Sequence, residues 1–187
     1  MTTVDKLLHH FGFTTLPFDR AVPPEGLLHH TSFAEALERL RFAIDARGPG
    51  LLVAPPVTGK SILFDTLCAQ LAPTTVRVTA TALTSCAPFG LLGQLAVRYG
   101  TPVRRTTAQT AAALLAELDG SAKTELLILD EAHRLPDASL EELRLLGQLD
   151  FDRRAPFVLL LAGQPVLRER LQQPDFDALS QCFCSSA

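Results

Sequence analysis

Short runs of apolar residues alternate along the chain with longer stretches whose apolar residues recur at helical spacing. The runs span residues 51–54, 75–79, 125–129 and 157–161. Runs of this length predict buried strands, and the second is rich in the β-branched residues that favour strands. The stretches between and after them, residues 61–71, 88–99, 106–118, 139–149 and 166–172, predict helices. Strands that alternate with helices predict a parallel sheet covered on both faces, which is a three-layer α/β domain.

Two of the predicted helices begin with a polar signature. Ser32 and Glu35 form one capping box, and Ser139 and Glu142 form a second. The first box predicts a helix that starts at Ser32 and ends at the Gly-Pro-Gly sequence of residues 48–50. Four apolar residues of this helix fall on one face and are expected to be buried: Phe33, Leu37, Leu40 and Ile44.

Residues 1–30 predict an irregular N-terminal arm, because helix-breaking residues interrupt them. The breakers are Pro17, Pro23, Pro24 and Gly26. Four apolar residues give the arm surface to bury, so we expect it to pack on the body: Phe11, Phe13, Leu16 and Phe18. The predicted organisation is therefore an arm at residues 1–30, a core at 31–181 and a short tail at 182–187.

Composition and charge narrow the class of protein. The 187 residues are 47% hydrophobic, which is enough for one core, and the formal net charge of −3 does not favour nucleic-acid binding by the surface as a whole. No apolar run approaches the roughly 20 residues of a membrane helix, and the start lacks a signal pattern, so we expect a cytoplasmic protein without membrane contact. The four cysteines and the adjacent histidines predict neither a disulfide framework nor a metal site.

Residues 54–61, Ala-Pro-Pro-Val-Thr-Gly-Lys-Ser, join a predicted strand to a predicted helix. A phosphate loop has glycine at both ends of a four-residue spacer, followed by lysine and by serine or threonine. Gly59, Lys60 and Ser61 match this pattern, whereas Ala54 stands where the first glycine belongs. Because N–H groups at a helix start and the helix dipole both favour an anion, the segment is a candidate phosphate site.

The nucleotide-binding residues that this loop predicts are Pro56, Val57, Thr58, Gly59, Lys60, Ser61 and Ile62. Lys60 is expected to neutralise the β and γ phosphates of a nucleoside triphosphate, and the Ser61 hydroxyl to complete the coordination of Mg²⁺. The alternative is a loop that happens to contain Gly-Lys-Ser, and this segment alone does not decide between the two.

A pair of acids follows the third predicted strand. Asp130 and Glu131 come directly after apolar residues 126–129, which places both carboxylates at the rim of the sheet. Asp130 is expected to hold Mg²⁺, directly or through water, and Glu131 to act as the general base that polarises the attacking water. The alternative is a strand that simply ends in polar residues.

The fourth predicted strand also ends at a polar residue, Gln164. This side chain could position the attacking water, and it could equally be a turn residue before Pro165. Ligands of open α/β sheets bind at the carboxyl ends of the strands. The loop and the acidic pair, each placed after a buried strand, therefore predict a site for ATP and Mg²⁺ more specifically than either motif alone.

Several segments together resemble one known family. They are Glu35-Ala36-Leu37 in the helix before the loop, residues 129–133 (Leu-Asp-Glu-Ala-His), and residues 163–171 (Gly-Gln-Pro-Val-Leu-Arg-Glu-Arg-Leu). With these segments the chain resembles, from about residue 11 to residue 181, the ExeA/GspA-like AAA+ ATPases. That group includes secretion-associated ATPases and soluble helper ATPases of bacterial transposons.

The resemblance implies a P-loop NTPase core that hydrolyses ATP, with Lys60, Ser61, Asp130 and Glu131 in the roles above and Gln164 near the first sensor position. It also implies a homo-oligomer that holds ATP between neighbouring subunits and reaches DNA through that oligomer. Since no membrane segment is predicted, the soluble helper type is favoured. The expected function is thus ATP hydrolysis coupled to a DNA-transaction partner such as a transposase.

Two departures from the family pattern bear on turnover. Val57 stands where the family usually has glycine, at a position that often needs a positive φ, which is costly for a β-branched residue. Cys182 stands where the family has an arginine, and the family's C-terminal helical lid does not follow it, as in a truncated chain. These departures open an alternative, a nucleotide-binding adaptor or degenerate remnant without turnover.

Overall fold

A parallel sheet of four strands lies at the centre of the computed structural model, which describes residues 2–14, 16, 30–82, 86–148 and 155–176. The strands are β1 (Gly50–Val53), β2 (Val76–Ala82), β3 (Thr124–Asp130) and β4 (Val158–Gly163). Their order across the sheet is β1-β4-β3-β2, so β4 pairs with both β1 and β3. All four predicted strands are present, and β2 and β4 extend two or three residues beyond the predicted ends.

Seven α-helices are found in the described residues. They are α1 (Thr3–Phe11), α2 (Thr31–Asp45), α3 (Lys60–Gln70), α4 (Pro88–Tyr99), α5 (Thr107–Asp119), α6 (Asp137–Gln148) and α7 (Pro165–Leu171). Short 3-10 turns at Ala132–Arg134 and Pro174–Phe176 follow β3 and α7. None of the described helices has both the length and the apolar character needed to cross a membrane.

Successive residues of β3 face opposite sides of the sheet, and each side has its own apolar core. Leu126 and Ile128 pack with residues of α2 and α3, whereas Leu127 and Leu129 pack with residues of α4, α5, α6 and α7. Since side chains alternate along a strand, a run that is apolar at every position can only be buried on both faces. The predicted three-layer α/β/α core with a parallel sheet is therefore confirmed.

Both predicted capping boxes are wrong. Helix α2 begins one residue earlier, and the His30 ring Nδ1 accepts the Phe33 N–H at 3.3 Å in the capping role assigned to Ser32. Helix α6 begins at Asp137, so Ser139 lies inside its first turn, fully buried. The Ser139 hydroxyl donates to the Cys86 carbonyl at 2.6 Å, because a tertiary contact takes the group that the local pattern assigned to the cap.

The N-terminal arm is more regular than predicted. Helix α1 has a true capping box, in which Thr2 Oγ1 accepts the Asp5 N–H and Asp5 accepts the Thr2 N–H. Gly12 ends the helix in the left-handed region, at φ 67°. The local signal was therefore present in the sequence at Thr2 and Asp5, three residues apart.

The arm also buries less than predicted. Phe11 and Phe13 are 61% and 41% exposed and stack on each other, and no residue of α1 is buried. The expected burial of these two phenylalanines is wrong, while Leu16 is half-buried and Phe18 lies outside the described residues. Cys182 and the predicted tail also lie outside them. The boundaries at residues 30 and 181 stay predictions.

A buried ion pair joins β2 and β3 near their amino-terminal ends. The sheet register places Arg77 beside Glu125, whose side chain is fully buried. Arg77 Nε donates to Glu125 Oε2 and Oε1 at 2.8 and 2.9 Å, and the Ser121 hydroxyl donates to Oε1 at 2.5 Å. The hydrogen bond to Glu125 raises the pKa of the Arg77 guanidinium, which lies 5.1 Å from the Tyr99 ring centre.

Replacing Arg77 by alanine should destabilise the fold, because it leaves the buried Glu125 carboxylate without its cation. Since the Arg77 side chain is 39% exposed, we expect the low end of the range for a broken buried pair, about 3 kcal/mol in urea denaturation. Arg77→Lys keeps the positive charge but loses the planar guanidinium group. It should therefore lower the free energy of unfolding by less than Arg77→Ala does. Arg105→Ala, at an exposed position, is the control. A stability of Arg77→Ala equal to that of the control would contradict the prediction.

Candidate functional site

Three chain segments leave the sheet along the same edge. The register pairs Val53 of β1 with Gly163 of β4, and Leu129 of β3 with Leu161 of β4. Beyond these pairs, β1 runs into the loop at residues 54–59, β3 ends at Asp130 and is followed by Glu131, and β4 is followed by Gln164. With strands spaced about 4.8 Å apart, β1 and β3 lie about 10 Å from each other, with the end of β4 between them. The structure thus brings the predicted site residues to one edge.

The loop between β1 and α3 makes a compact turn. Ala54 N–H donates to Gly163 O at 3.1 Å, and the Thr58 hydroxyl donates to Pro55 O at 2.7 Å. Two residues are left-handed, Gly59 at φ 90° and Val57 at φ 63°. The positive φ that the sequence pattern predicts at position 57 is confirmed. A left-handed conformation costs an L-residue about 1–2 kcal/mol, and the fully exposed Val57 side chain makes no packing contact that could offset it.

Lys60 lies inside this loop. It is the first residue of α3 and only 9% exposed. Its Nζ donates to the carbonyls of Ala54 at 3.0 Å and Pro55 at 2.9 Å. An ammonium group has three donors, so the loop holds Lys60 in place and leaves it a donor for an acceptor at the loop's centre.

The amino terminus of α3 points N–H groups out of the loop. The first hydrogen bond of the helix runs from Leu63 N–H to Gly59 O at 2.9 Å. The N–H groups of residues 60–62 therefore have no acceptor within the helix. Gly59 is the N-cap and has no side chain to satisfy them. Ser61 and Ile62 are exposed in this first turn. The helix start and the Lys60 ammonium together form a concentration of positive charge suited to an anion.

The acidic pair turns the chain out of the sheet. Asp130 is the last residue of β3, and its Oδ1 accepts the Glu131 N–H at 2.8 Å. Glu131 is left-handed, at φ 56°, and leads into the 3-10 turn Ala132–Arg134. Its side chain is 34% exposed. The two carboxylates are therefore separated by a sharp bend, with Asp130 folded onto the backbone and Glu131 directed away from the strand.

Two side chains near the acidic pair have no role in the sequence interpretation. The His133 ring lies between Glu131 and Gln164, with Nε2 3.6 Å from Glu131 Oε2 and Nδ1 accepting the Gln164 N–H at 3.4 Å. Arg170 donates to His133 O at 2.7 Å and to Leu135 O at 2.9 Å, and it also pairs with Asp137. Apart from the contact between His133 and Glu131, these contacts join residues more than 30 positions apart, so no local pattern in the sequence reveals them.

Gly163 lets the turn after β3 approach the end of β4. A Cβ placed on Gly163 would lie 2.8 Å from Leu167 Cδ2 and 3.3 Å from the His133 backbone nitrogen. Both distances are shorter than ordinary contacts, so any side chain here would force Leu167 and the His133 backbone to shift. The close approach places His133 beside Gln164.

An alanine at position 163 should destabilise the protein by about 2 kcal/mol, because Leu167 and the turn at His133 must both shift. Gly147→Ala is the matched control, since Gly147 is helical and its added Cβ meets open space. Gly147→Ala should raise the free energy of unfolding by up to about 1 kcal/mol, because alanine favours a helix more than glycine does. Thermal or urea unfolding of both variants measures the difference, and equal effects would contradict the steric argument.

The fold and the arrangement of these segments define a class of protein. It is an α/β domain in which a loop of the phosphate-binding type, between β1 and α3, shares one edge of the sheet with the acidic residues at the end of β3. Comparison with known proteins gives the family: residues 43–171 match the family model described as AAA domain. The chain belongs to this family of nucleotide-binding ATPase domains.

Individual relatives agree with this placement. The chain is 30% identical over 178 residues to General secretion pathway protein A of Aeromonas hydrophila, a match that covers 91% of this chain and 32% of that protein. The chain thus spans about a third of the length of this relative. The fold is similar to that of Cdc6p from Pyrobaculum aerophilum (TM-score 0.70, 18% identity, 89% of this chain and 47% of that one). It is also similar to Aeropyrum pernix ORC1 in complex with DNA (TM-score 0.62, 17% identity, 87% and 46%).

Proposed function

We propose that this domain binds ATP with Mg²⁺ at the edge formed by residues 54–62, Asp130, Glu131 and Gln164, and that it hydrolyses the nucleotide. The observation that supports this most is that an uncapped helix start, with Lys60 held inside its loop, shares one edge of the sheet with two carboxylates. An anion site beside an acidic site suits a ligand that brings both phosphate and a divalent cation.

On the phosphate side, the N–H groups of residues 60–62 donate to phosphate oxygens. Lys60 exchanges its bonds to the loop carbonyls for bonds to the β and γ phosphates. Pro56, Val57, Thr58 and Gly59 supply the loop backbone around them. Because Lys60 is already confined by the loop, little side-chain entropy is lost when it binds phosphate.

On the reaction side, Ser61 and Asp130 hold Mg²⁺, which neutralises charge on the phosphates when it is bound. Magnesium keeps several of its waters and takes few protein ligands, so one hydroxyl and one carboxylate fit its needs. Glu131 accepts a proton from the attacking water as general base, and Gln164 positions that water. The exposure of Glu131 leaves its carboxylate accessible to water before the nucleotide closes the site.

The Lys60→Ala and Glu131→Gln variants separate binding from turnover. Lys60→Ala should weaken ATP binding about 10- to 100-fold, the value of a charge-assisted hydrogen bond, as measured by calorimetry with Mg²⁺. Glu131→Gln should bind ATP like wild type and lose about 100-fold or more in phosphate release. Lys123→Ala is the matched lysine control, because Lys123 is exposed and bonds to Pro73 O beyond the other end of the sheet. Turnover that survives both site substitutions would refute the proposal.

A second candidate function is nucleotide binding without turnover, and Val57 is the observation that favours it. A left-handed valine disfavours the loop conformation that the phosphate site needs, so the competent loop is a smaller fraction of the free protein. An adaptor of this kind would switch with nucleotide occupancy alone. Wild-type protein that binds ATP but releases no phosphate would support this candidate over the first.

Val57→Gly should raise ATP affinity several-fold, because relief of about 1 kcal/mol of backbone strain raises the population of the competent loop. Val57→Thr keeps the β-branch and should bind like wild type, which controls for the effect of a substitution that leaves the backbone strain in place. Calorimetric titration of the three proteins measures the effect. Equal affinities for Val57→Gly and wild type would mean that the loop's own hydrogen bonds already fix its conformation.

The partner belongs to the same proposal. The sequence resemblance favours a cytoplasmic homo-oligomer that couples ATP to a transposase or another DNA-transaction partner, and one structure of similar fold is bound to DNA. The name of the Aeromonas relative instead favours a part in secretion. A DNA gel-shift with and without ATP tests the first alternative, and the absence of a shift at micromolar protein would count against it.

A further inference from the structure

The His133 imidazole occupies a fixed place between two strand ends. Its side chain is 13% exposed, and its two ring nitrogens face different partners. Nδ1 accepts the Gln164 backbone N–H at 3.4 Å, and Nε2 lies 3.6 Å from Glu131 Oε2. One ring thus connects the residue at the end of β4 with the acid that follows β3.

These partners select one tautomer of His133. A backbone N–H can only donate, so Nδ1 must be the unprotonated nitrogen that accepts it. In the neutral ring the proton then lies on Nε2, which faces the Glu131 carboxylate. The Gln164 backbone therefore determines that His133 presents a donor, and not a lone pair, to Glu131.

The backbone around His133 is held from two further directions. Arg170 of α7 donates to His133 O and Leu135 O, at 2.7 and 2.9 Å, which anchors the turn that carries the ring. Gly163 admits the His133 backbone nitrogen close to the end of β4. The ring is therefore held through the backbone that carries it and is nearly buried, whereas the Glu131 side chain is 34% exposed.

We propose that His133 is a positioning residue for Glu131: its Nε2–H orients the carboxylate, and its Nδ1 fixes that orientation to Gln164. The consequence for turnover rests on the proposed function, since Glu131 matters for rate only if it is the base. A base that loses its orientation is displaced from the attacking water while phosphate binding is unchanged, so the effect falls on kcat and not on nucleotide affinity.

The tautomer can be measured without any turnover. In ¹⁵N-labelled protein above pH 8, the ring nitrogens of His133, assigned by their loss in His133→Gln, should show the Nε2–H pattern. The averaged pattern of a free imidazole, or the Nδ1–H pattern, would overturn the proposal. His9 is exposed on α1 and provides an internal reference for a solvent-exposed imidazole.

Two conservative variants of His133 separate its contact with Glu131 from its contact with Gln164. His133→Gln places an amide N–H near the position of Nε2, whereas His133→Asn keeps an acceptor near Nδ1 and nothing to reach Glu131. We expect His133→Gln to keep kcat within about threefold of wild type and His133→Asn to lose about 10-fold, with equal ATP dissociation constants. Equal kcat for the two, or a loss of affinity in step with kcat, would overturn the positioning role.

A wild-type protein without ATP turnover would refute the hydrolytic function but still leave the positioning testable. The side-chain carboxyl ¹³C resonance of Glu131, assigned with Glu131→Gln, should then shift in His133→Asn and stay near the wild-type value in His133→Gln. A resonance that is unchanged in both variants would overturn the proposal. Circular dichroism checks that both variants fold.

Discussion

The pairing of β4 between β1 and β3 is the constraint on which the candidate site depends. Every residue of Val158–Gly163 is buried, because helices cover both faces of the strand and the neighbouring strands cover both of its edges. The ladder sets Val53 beside Gly163 and Leu129 beside Leu161, so the three chain exits cannot slide relative to each other without exposing apolar residues on both faces. The hydrophobic core therefore fixes the spacing of the loop, the acids and Gln164.

Backbone strain accumulates where this edge turns into loops. Among the described residues, three that are not glycine have a positive φ, and two of them, Val57 and Glu131, lie on the two sides of the candidate site. A strained residue persists only where its surroundings determine it, here the hydrogen bond from Glu131 N–H to Asp130 and the turn anchored by Arg170. The strain at Glu131 has a visible result, since it carries the carboxylate away from β3 and towards His133.

The parts of the structure that the sequence predicts are those set by local or periodic signals. The four strands follow from apolar runs, and the positive φ of Val57 follows from its place in the loop pattern. The capping boxes at Ser32 and Ser139 failed, because the Ser32 hydroxyl bonds to the His30 ring, which takes the cap itself, and the Ser139 hydroxyl bonds to the distant Cys86 carbonyl. The ring of His133 and the guanidinium of Arg170 act across more than 30 residues, and only the folded chain brings such groups together.

The sheet order also separates the two halves of the proposed chemistry. Lys60 belongs to α3, which packs with α2 on one face of the sheet, whereas the turn that carries His133 follows β3 and is anchored by α7 of the other face. About 10 Å of sheet lies between these halves. Under the proposed function, a defect in the loop, such as the valine at position 57, is therefore expected to act on phosphate binding more than on the contacts between His133 and Glu131. For the same reason, a chain with a weakened loop can keep an intact reaction side, so weak binding by itself is no sign that the acidic side has lost its chemistry.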